Sequence, residues 1–281
     1  MDKAFFEKSL REYVRNSSEN RIKEEIALRP DLAGMFIFDE PLVGYAAAED
    51  PYFEEAKKPG IIGDHFVPPV EWLPGAKTVI AIFLPFTEQV RIANRESMDR
   101  PADEWLHGRM EGQEFQDVFC RFAEDLLIKE GYSALAPMLD PRIGRGTLSI
   151  TDKTDQGYHS RNLSERHAAY AAGLGTFGVS AGLITTRGVA GRFINIITNF
   201  AFEPDKRPYT GVYDYCIFCY ACARNCPAKA ISKEKGKLHY PCSEYLDGTR
   251  EKFKPRYGCG KCQVKVPCED KAPNAGKQNP V

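Results

Sequence analysis

No apolar run in the chain approaches the roughly 18 residues of a membrane-spanning helix, so no membrane role is expected. The start, Met1-Asp2-Lys3-Ala4-Phe5-Phe6-Glu7, lacks an apolar signal core and a twin-arginine pair, which gives the expectation of a cytoplasmic protein. Without an export signal, disulfides are disfavoured. A charge excess is missing too: 38 Lys and Arg against 39 Asp and Glu leave a net charge of −1, with the signs interspersed. That is no footprint for nucleic acid, which is therefore not expected as a partner, and no polybasic anchor for a lipid surface. Low-complexity segments are absent, and so is any internal repeat beyond the paired cysteine motifs. What remains, 43% hydrophobic and 27% charged residues in a chain of 281, is ordinary for a globular protein with one large and one small domain.

Cysteine usage is not ordinary. Eight of the nine cysteines follow residue 215, and the ninth, Cys120, sits in an apolar helical pattern that predicts burial. Cys216-Ile217-Phe218-Cys219-Tyr220-Ala221-Cys222-Ala223-Arg224-Asn225-Cys226-Pro227 reads C-x2-C-x2-C-x3-C-P. In the bacterial ferredoxin run of this form, three closely spaced thiolates wrap one 4Fe–4S cube, and the cysteine before proline serves a second cube. The rule requires a second set, and the chain has Cys242, Cys259, Cys262 and Cys268. The predicted division is Cys216, Cys219, Cys222 and Cys268 on one cluster, with Cys226, Cys242, Cys259 and Cys262 on the other. A zinc ribbon shows two CxxC pairs, without the triplet or the Cys-Pro. One departure stands at Cys262, where Gln263-Val264-Lys265-Val266-Pro267 separates it from Cys268. That gap is two residues longer than C-x3-C, and the proline precedes the cysteine.

Periodicity predicts one or two amphipathic helices over residues 3–28, a short strand at Met35–Phe38 and a loop from Asp39 to Ala46. Thr78–Leu84 reads as a central strand ended by Pro85, 103–130 as a long helix stopped by Gly131, and 133–139 as another strand. Residues 140–162 are polar, glycine-containing and irregular, and long loops of this kind usually carry function or motion. A helix opens at Ser164 and stops at Gly173-Leu174-Gly175-Thr176-Phe177-Gly178. That is G-x-G-x-x-G by letter, but it follows a helix and not a strand, so a dinucleotide reading fails. The glycines serve either a helix cap and turn or close backbone approach to a ligand. Gly182–Thr186 and Phe193–Thr198 are expected to pair around Arg187-Gly188.

Arg166-His167-Ala168-Ala169-Tyr170-Ala171-Ala172 with the glycine turn, the strand pair and the two cysteine sets together resemble the epoxyqueuosine reductase family, relatives of the respiratory reductive dehalogenases. The similarity includes Lys77-Thr78-Val79-Ile80-Ala81-Ile82 and Tyr257-Gly258-Cys259-Gly260-Lys261-Cys262-Gln263, and so spans about residues 75–268. It implies an α+β protein. Residues 1–205 would form a nitroreductase-like α/β domain that binds cobalamin, and 206–281 a ferredoxin-like domain with two 4Fe–4S clusters. A ferredoxin- or flavodoxin-type donor would supply electrons, and the chemistry would belong to the cofactor.

On the family pattern, Gly173, Leu174, Gly175, Thr176, Phe177 and Gly178 would bring backbone to the corrin, and Glu165 matches the acidic residue before the helix. The reductases' proton-donor aspartate falls on His159, whose side chain titrates near neutrality. Tyr158 is the second choice, because the dehalogenases use a tyrosine, and Arg161 would hold an anionic substrate. The alternative is that all three are polar loop residues, and His167 reads as a helix-surface histidine. Epoxyqueuosine reductases act on tRNA. Little basic excess, and a chain that stops about a dozen residues after Cys268, give the expectation of a small-molecule substrate instead. Two rival readings are a ferredoxin-type electron-transfer protein without chemistry of its own, and a reductase using FMN in place of cobalamin.

Overall fold

The structure, a computed structural model, describes residues 1–144 and 162–275. Its centre is a four-stranded antiparallel sheet in the order β1 (Leu42–Ala47), β2 (Thr78–Pro85), β6 (Gly191–Thr198), β3 (Ala134–Leu135). All eight residues of β2 are buried, because both faces of the sheet are covered. Ile80, Ile82 and Leu84 with Ile194 and Ile196 enter one apolar layer. Val79, Ala81 and Phe83 with Ile197 enter the other. An antiparallel strand covered on both faces reads as a continuous apolar run instead of alternating.

The first layer is closed by α1 (Lys3–Asn16) and α5 (Asp103–Lys129). Asp2 caps α1 by accepting from the Phe5 amide at 2.8 Å, and Phe6, Leu10 and Val14 form its inner stripe. Along α5, Phe115, Phe119, Ala123 and Leu127 face the sheet. Glycine at 112 lets Phe38 approach, since a Cβ there would lie 3.0 Å from its ring. Short helices α2 (Pro51–Glu55) and α3 (Pro69–Trp72) cover the second layer together with α6 (Glu165–Ala171). Helix α6 is alanine-rich where it meets the sheet. The remaining early helix, α4 (Glu88–Glu96), packs beside α5.

Several sequence expectations are corrected. After α1 the segment to residue 28 forms short single turns and not a second α-helix. Met35–Phe38 makes only isolated bridges, Phe36 to Arg21 and Phe38 to Phe86. The edge strand is instead β1, inside the stretch expected to be a loop. Gly44, which suggests a turn, is there because a Cβ would lie 2.5 Å from the Ala172 carbonyl, where the end of α6 crosses the strand. The expected pairing of residues 182–186 with 193–198 does not occur. β5 (Leu183–Thr185) pairs with β4 (Gly175–Phe177) in a separate ribbon, while β6 pairs with β2 and β3.

The cysteine-rich segment folds as α7 (Ala221–Asn225), the ribbon β7 (Ile231–Ser232) and β8 (Gly236–Lys237), and α8 (His239–Lys252). It packs on α4 and α5 through polar anchors. Arg256 donates to Glu111 at 2.6 Å and to the Ile26 carbonyl at 2.8 Å. Asn94 donates to the Cys259 carbonyl at 3.0 Å. Gly260 has φ +68°, and a Cβ on it would sit 2.0 Å from the Trp105 ring, so only glycine fits. Among the described residues no helix is long and apolar enough to cross a membrane.

Candidate functional site

The cysteines gather in two groups. Cys268 faces Cys216, Cys219 and Cys222, and the four line one small apolar cavity with Gly178, Ile184 and Val266. Cys262 faces Cys226 and Cys242, and Cys259 faces Cys262 and Cys242. The groups adjoin where Cys222 meets Cys262. In the first, the chain turns between cysteines through left-handed Phe218 and Tyr220, with φ 49° and 54°. Non-glycine residues rarely adopt this conformation outside functional loops.

The long Cys262–Cys268 spacing has a physical purpose. Lys265, at φ 55°, bends the loop, and its amide donates to Glu269 at 2.7 Å. The chain then runs along the β5–β6 turn, where the Val189 amide donates to the Cys268 carbonyl at 2.9 Å. Burial first, then the neighbouring thiols, pushes Cys222 up to about 11 and Cys268 up to about 12, and Cys259 also rises to about 12, mainly through burial. Thiols raised this far stay protonated at neutral pH, and a bound metal would ionise them with release of protons. Among the described residues no three His, Cys, Asp or Glu side chains converge on a single ion. A four-iron cube, by contrast, is held by four thiolates spread over its corners.

Against the first group lies a cavity of about 1080 Å³. Gly178, Val179 and Tyr220 belong to the walls of both. Its other walls come from α2, the start of α6, residues 207–213 and the β7–β8 ribbon. Ser164 N-terminal to α6 makes no backbone cap; its hydroxyl meets His167 Nδ1 at 2.7 Å. His167 lies between Tyr52 and Phe177, at ring distances of 6.3 and 4.7 Å. Burial, with Arg166 adding to it, pushes the imidazole down to about 3, so it is neutral at physiological pH. Burial also raises the Tyr52, Tyr170 and Tyr209 hydroxyls, which stay protonated.

Of the residues singled out from the sequence, Glu165, Phe177 and Gly178 line this cavity. Gly173, Leu174, Gly175 and Thr176 lie behind it and join it to the cysteine segment. A Cβ on Gly175 would sit 2.0 Å from the Ile184 carbonyl, and Thr176 Oγ1 accepts from the Tyr215 amide at 2.8 Å, one residue before Cys216. Tyr158, His159 and Arg161 lie outside the described residues. Sequence reasoning passed over Arg166, Arg207, Lys233 and Lys237, which also line the cavity. No spacing pattern links them, because they converge from three separate segments.

Residues 209–232 match the 4Fe-4S binding domain family. A tetrachloroethene reductive dehalogenase of Desulfitobacterium hafniense is 43% identical over 68 residues, 24% of this chain but only 12% of the dehalogenase. A solved epoxyqueuosine reductase, crystallised with an epoxyqueuosine-modified tRNA stem loop, superposes over 98% of this chain and 67% of its own, with TM-score 0.51 and 20% identity. The Bacillus subtilis epoxyqueuosine reductase covers 81% of this chain and 61% of its own, with TM-score 0.50 and 21% identity. The fold is that of the epoxyqueuosine reductases. This epoxyqueuosine reductase-like fold corrects the expectation about nucleic acid, since a protein that shares it holds a tRNA stem loop. That expectation used the whole-chain charge. A sum of −1 conceals the basic side chains of Arg207, Lys233, Lys235 and Lys237 around one cavity.

Proposed function

We propose that the protein is a cobalamin-dependent iron–sulfur reductase whose reaction chamber is the large cavity and whose cysteine groups hold two 4Fe–4S clusters. The observation that carries this reading is the shared wall of Gly178, Val179 and Tyr220 between the cavity and the Cys216, Cys219, Cys222 and Cys268 group. An electron carrier needs no chamber there. At about 1080 Å³ the cavity lies just above the roughly 300–1,000 Å³ range of small-molecule sites, a size that supports a large cofactor such as a corrin. Residues 1–205 then constitute a nitroreductase-like cofactor-binding domain and 206–281 a two-cluster ferredoxin-like domain. Bound cobalamin would supply a strongly reducing cobalt centre.

The chain itself supplies surroundings and protons. Tyr52, Phe177 and Tyr170 line the cavity with the neutral His167, the Tyr52 and Phe177 rings lying 6.3 and 4.7 Å from the imidazole, and the Tyr52 and Tyr170 hydroxyls stay protonated. With Nδ1 held by Ser164, the imidazole keeps Nε2 as its other ring nitrogen for a hydrogen bond into the chamber. The cavity walls also bring Lys233, Lys237 and Arg207, the last paired with Asp50 at 2.9 Å, together with Tyr213 and Phe218, which are about half exposed and 5.8 Å apart. Cations beside exposed ring faces suit an unstacked nucleotide and its phosphates, so the favoured substrate is a modified base in an RNA loop.

Anaerobic reconstitution with iron, sulfide and cobalamin tests the reading. About eight irons per chain, one cobalt with a base-off cobalt(II) EPR signal, and reduction of an epoxyqueuosine-containing stem loop are expected. Eight irons with neither cobalt nor flavin would leave an electron carrier. Bound flavin would move the chemistry to FMN, and turnover confined to free small molecules would refute the RNA assignment.

A further inference from the structure

The second cysteine group contains a buried cation that cluster binding alone does not call for. Lys261, between Cys259 and Cys262, is 1% exposed. Its Nζ donates to the Asn94 carbonyl at 3.0 Å, to Asn94 Oδ1 at 2.5 Å and to the Ser97 carbonyl at 2.5 Å. Three acceptors around one nitrogen require three N–H donors, which only the ammonium has. The acceptors belong to the last turn and end of α4, where helix carbonyls gather partial negative charge. Asn94 is wholly buried and also donates to the Cys259 carbonyl, so the cation is fixed relative to the ligand loop. A buried charge is costly, and it persists where partners compensate it. Asp99 and Arg100 also face the ammonium, with opposite signs that offset each other.

The two groups differ in charge surroundings. Cys262 lies within the field of Lys237 and of Arg166, whose guanidinium donates to the Ala181 carbonyl at 2.6 Å. Around Cys216, Cys219, Cys222 and Cys268 the walls are glycine, valine, isoleucine and proline, with Ser180 and Tyr220 as the polar residues, and the cation bonded to this loop, Arg224, donates to the Cys219 carbonyl at 2.9 Å from an exposed, water-screened position. Each reduction adds one electron, and so one negative charge, to a cluster; nearby fixed cations favour it and apolar burial opposes it.

We propose that Lys261 is a positioning residue that sets the order of electron filling, holding the cluster of Cys226, Cys242, Cys259 and Cys262 at a higher potential than the cluster beside the cavity. The proposal rests on the two-cluster reading above. In it, one electron from a low-potential donor enters the Lys261-flanked cluster first, no proton moves, and the cavity-side cluster remains the stronger reductant.

An anaerobic redox titration of the reconstituted protein with dithionite, followed by EPR, tests this. Two separate waves are expected in the native protein. Lys261→Met lowers the reduction equilibrium constant of the first-filled cluster at least tenfold, about 59 mV for one electron, and narrows the gap. Lys261→Arg keeps most of the separation. Unchanged waves in Lys261→Met at full iron content overturn the proposal, and so does an equal shift in Lys261→Arg. If Lys261→Met loses a cluster, Lys237→Gln replaces it, with a smaller shift of the same sign expected and no shift refuting the idea. About four irons in the native protein would refute the two-cluster reading itself, separately from the role of Lys261.

Discussion

Removing the Glu269 carboxylate should loosen Cys268 and leave the second cysteine group in place. Glu269 is 3% exposed and follows Cys268 directly. Its oxygens accept from Arg95 at 2.5 and 3.2 Å, from Arg91 at 3.3 Å and from the Lys265 amide at 2.7 Å. Breaking a buried ion pair from one side costs ~3–5 kcal/mol. Here the figure is reduced. The Arg95 side chain is 41% exposed and rehydrates, and Arg91 keeps Asp270 at 3.4 Å and the Phe86 carbonyl at 3.2 Å. What remains is about one charge-assisted hydrogen bond plus the stranded amide of left-handed Lys265, together about 2–3 kcal/mol. At ~1.4 kcal/mol per decade, the loop of residues 263–269, beyond Cys262, should open roughly 30- to 140-fold more often in Glu269→Ala. The assay is anaerobic iron release to a chelator, with EPR identifying the cluster that is lost. Faster release from the cavity-side cluster alone is expected. An unchanged rate, or equal loss from both groups, would refute the reasoning.

Gly188→Ala attacks the same seam from the other side. At φ +82° the new Cβ would lie 2.2 Å from the Glu269 carbonyl and 2.4 Å from the Asp270 amide, so a loss of at least about 3 kcal/mol in a urea titration is expected, with iron retention falling in parallel. His167 makes stability depend on pH. Its folded value of about 3 lies below the ordinary 6.5, so below pH 6.5 the unfolded chain binds the extra proton and stability falls with pH down to about 3. Between pH 7.5 and 5.5 this one residue should cost about 1.4 kcal/mol, a slope that His167→Gln removes and that paired urea midpoints would reveal. Lys233→Ala with Lys237→Ala should weaken binding of an RNA stem loop and lower the salt slope of log K by about 1 per lysine contacting phosphate; an unchanged slope would take both away from the RNA path.

The parts of the molecule readable from sequence are those written in local spacing. The ferredoxin run announces its own second set, Thr78–Pro85 stands out because both its faces are covered, and α5 shows its Phe115, Phe119, Leu127 stripe. Gly44 misleads because a glycine admitting a crossing helix looks the same as one making a turn. The pairing of β5 with β4 is hidden because adjacency in sequence favours β6, whereas the approach of Gly175 to the Ile184 carbonyl decides it in space. His167 resembles a surface histidine until Tyr52 and Phe177, from elements far apart in the chain, are found around it. Whole-chain charge misleads about partners in the same way, because it averages over positions that the fold separates.

The same seam bears on whether the cysteine segment serves as a detachable carrier. The glycine turn after α6 is hydrogen-bonded to the segment leading into Cys216, through Thr176 to Tyr215 and through Phe177 to Val212. The chain beyond Cys262 returns to the β5–β6 turn, so Cys268 is presented by the α/β layer as much as by its own segment. An electron carrier with an added docking domain would position its cysteines through its own segment alone and leave the interface free to separate. Here the fourth cysteine of the cavity-side group is positioned by Val189 and Ala190 of the β5–β6 turn and, through Glu269, by Arg91 and Arg95 of α4, all outside the cysteine segment. The cysteine group and the cavity are therefore held on one α/β frame by backbone and side-chain bonds, an arrangement that would suit delivery of electrons to chemistry inside the protein.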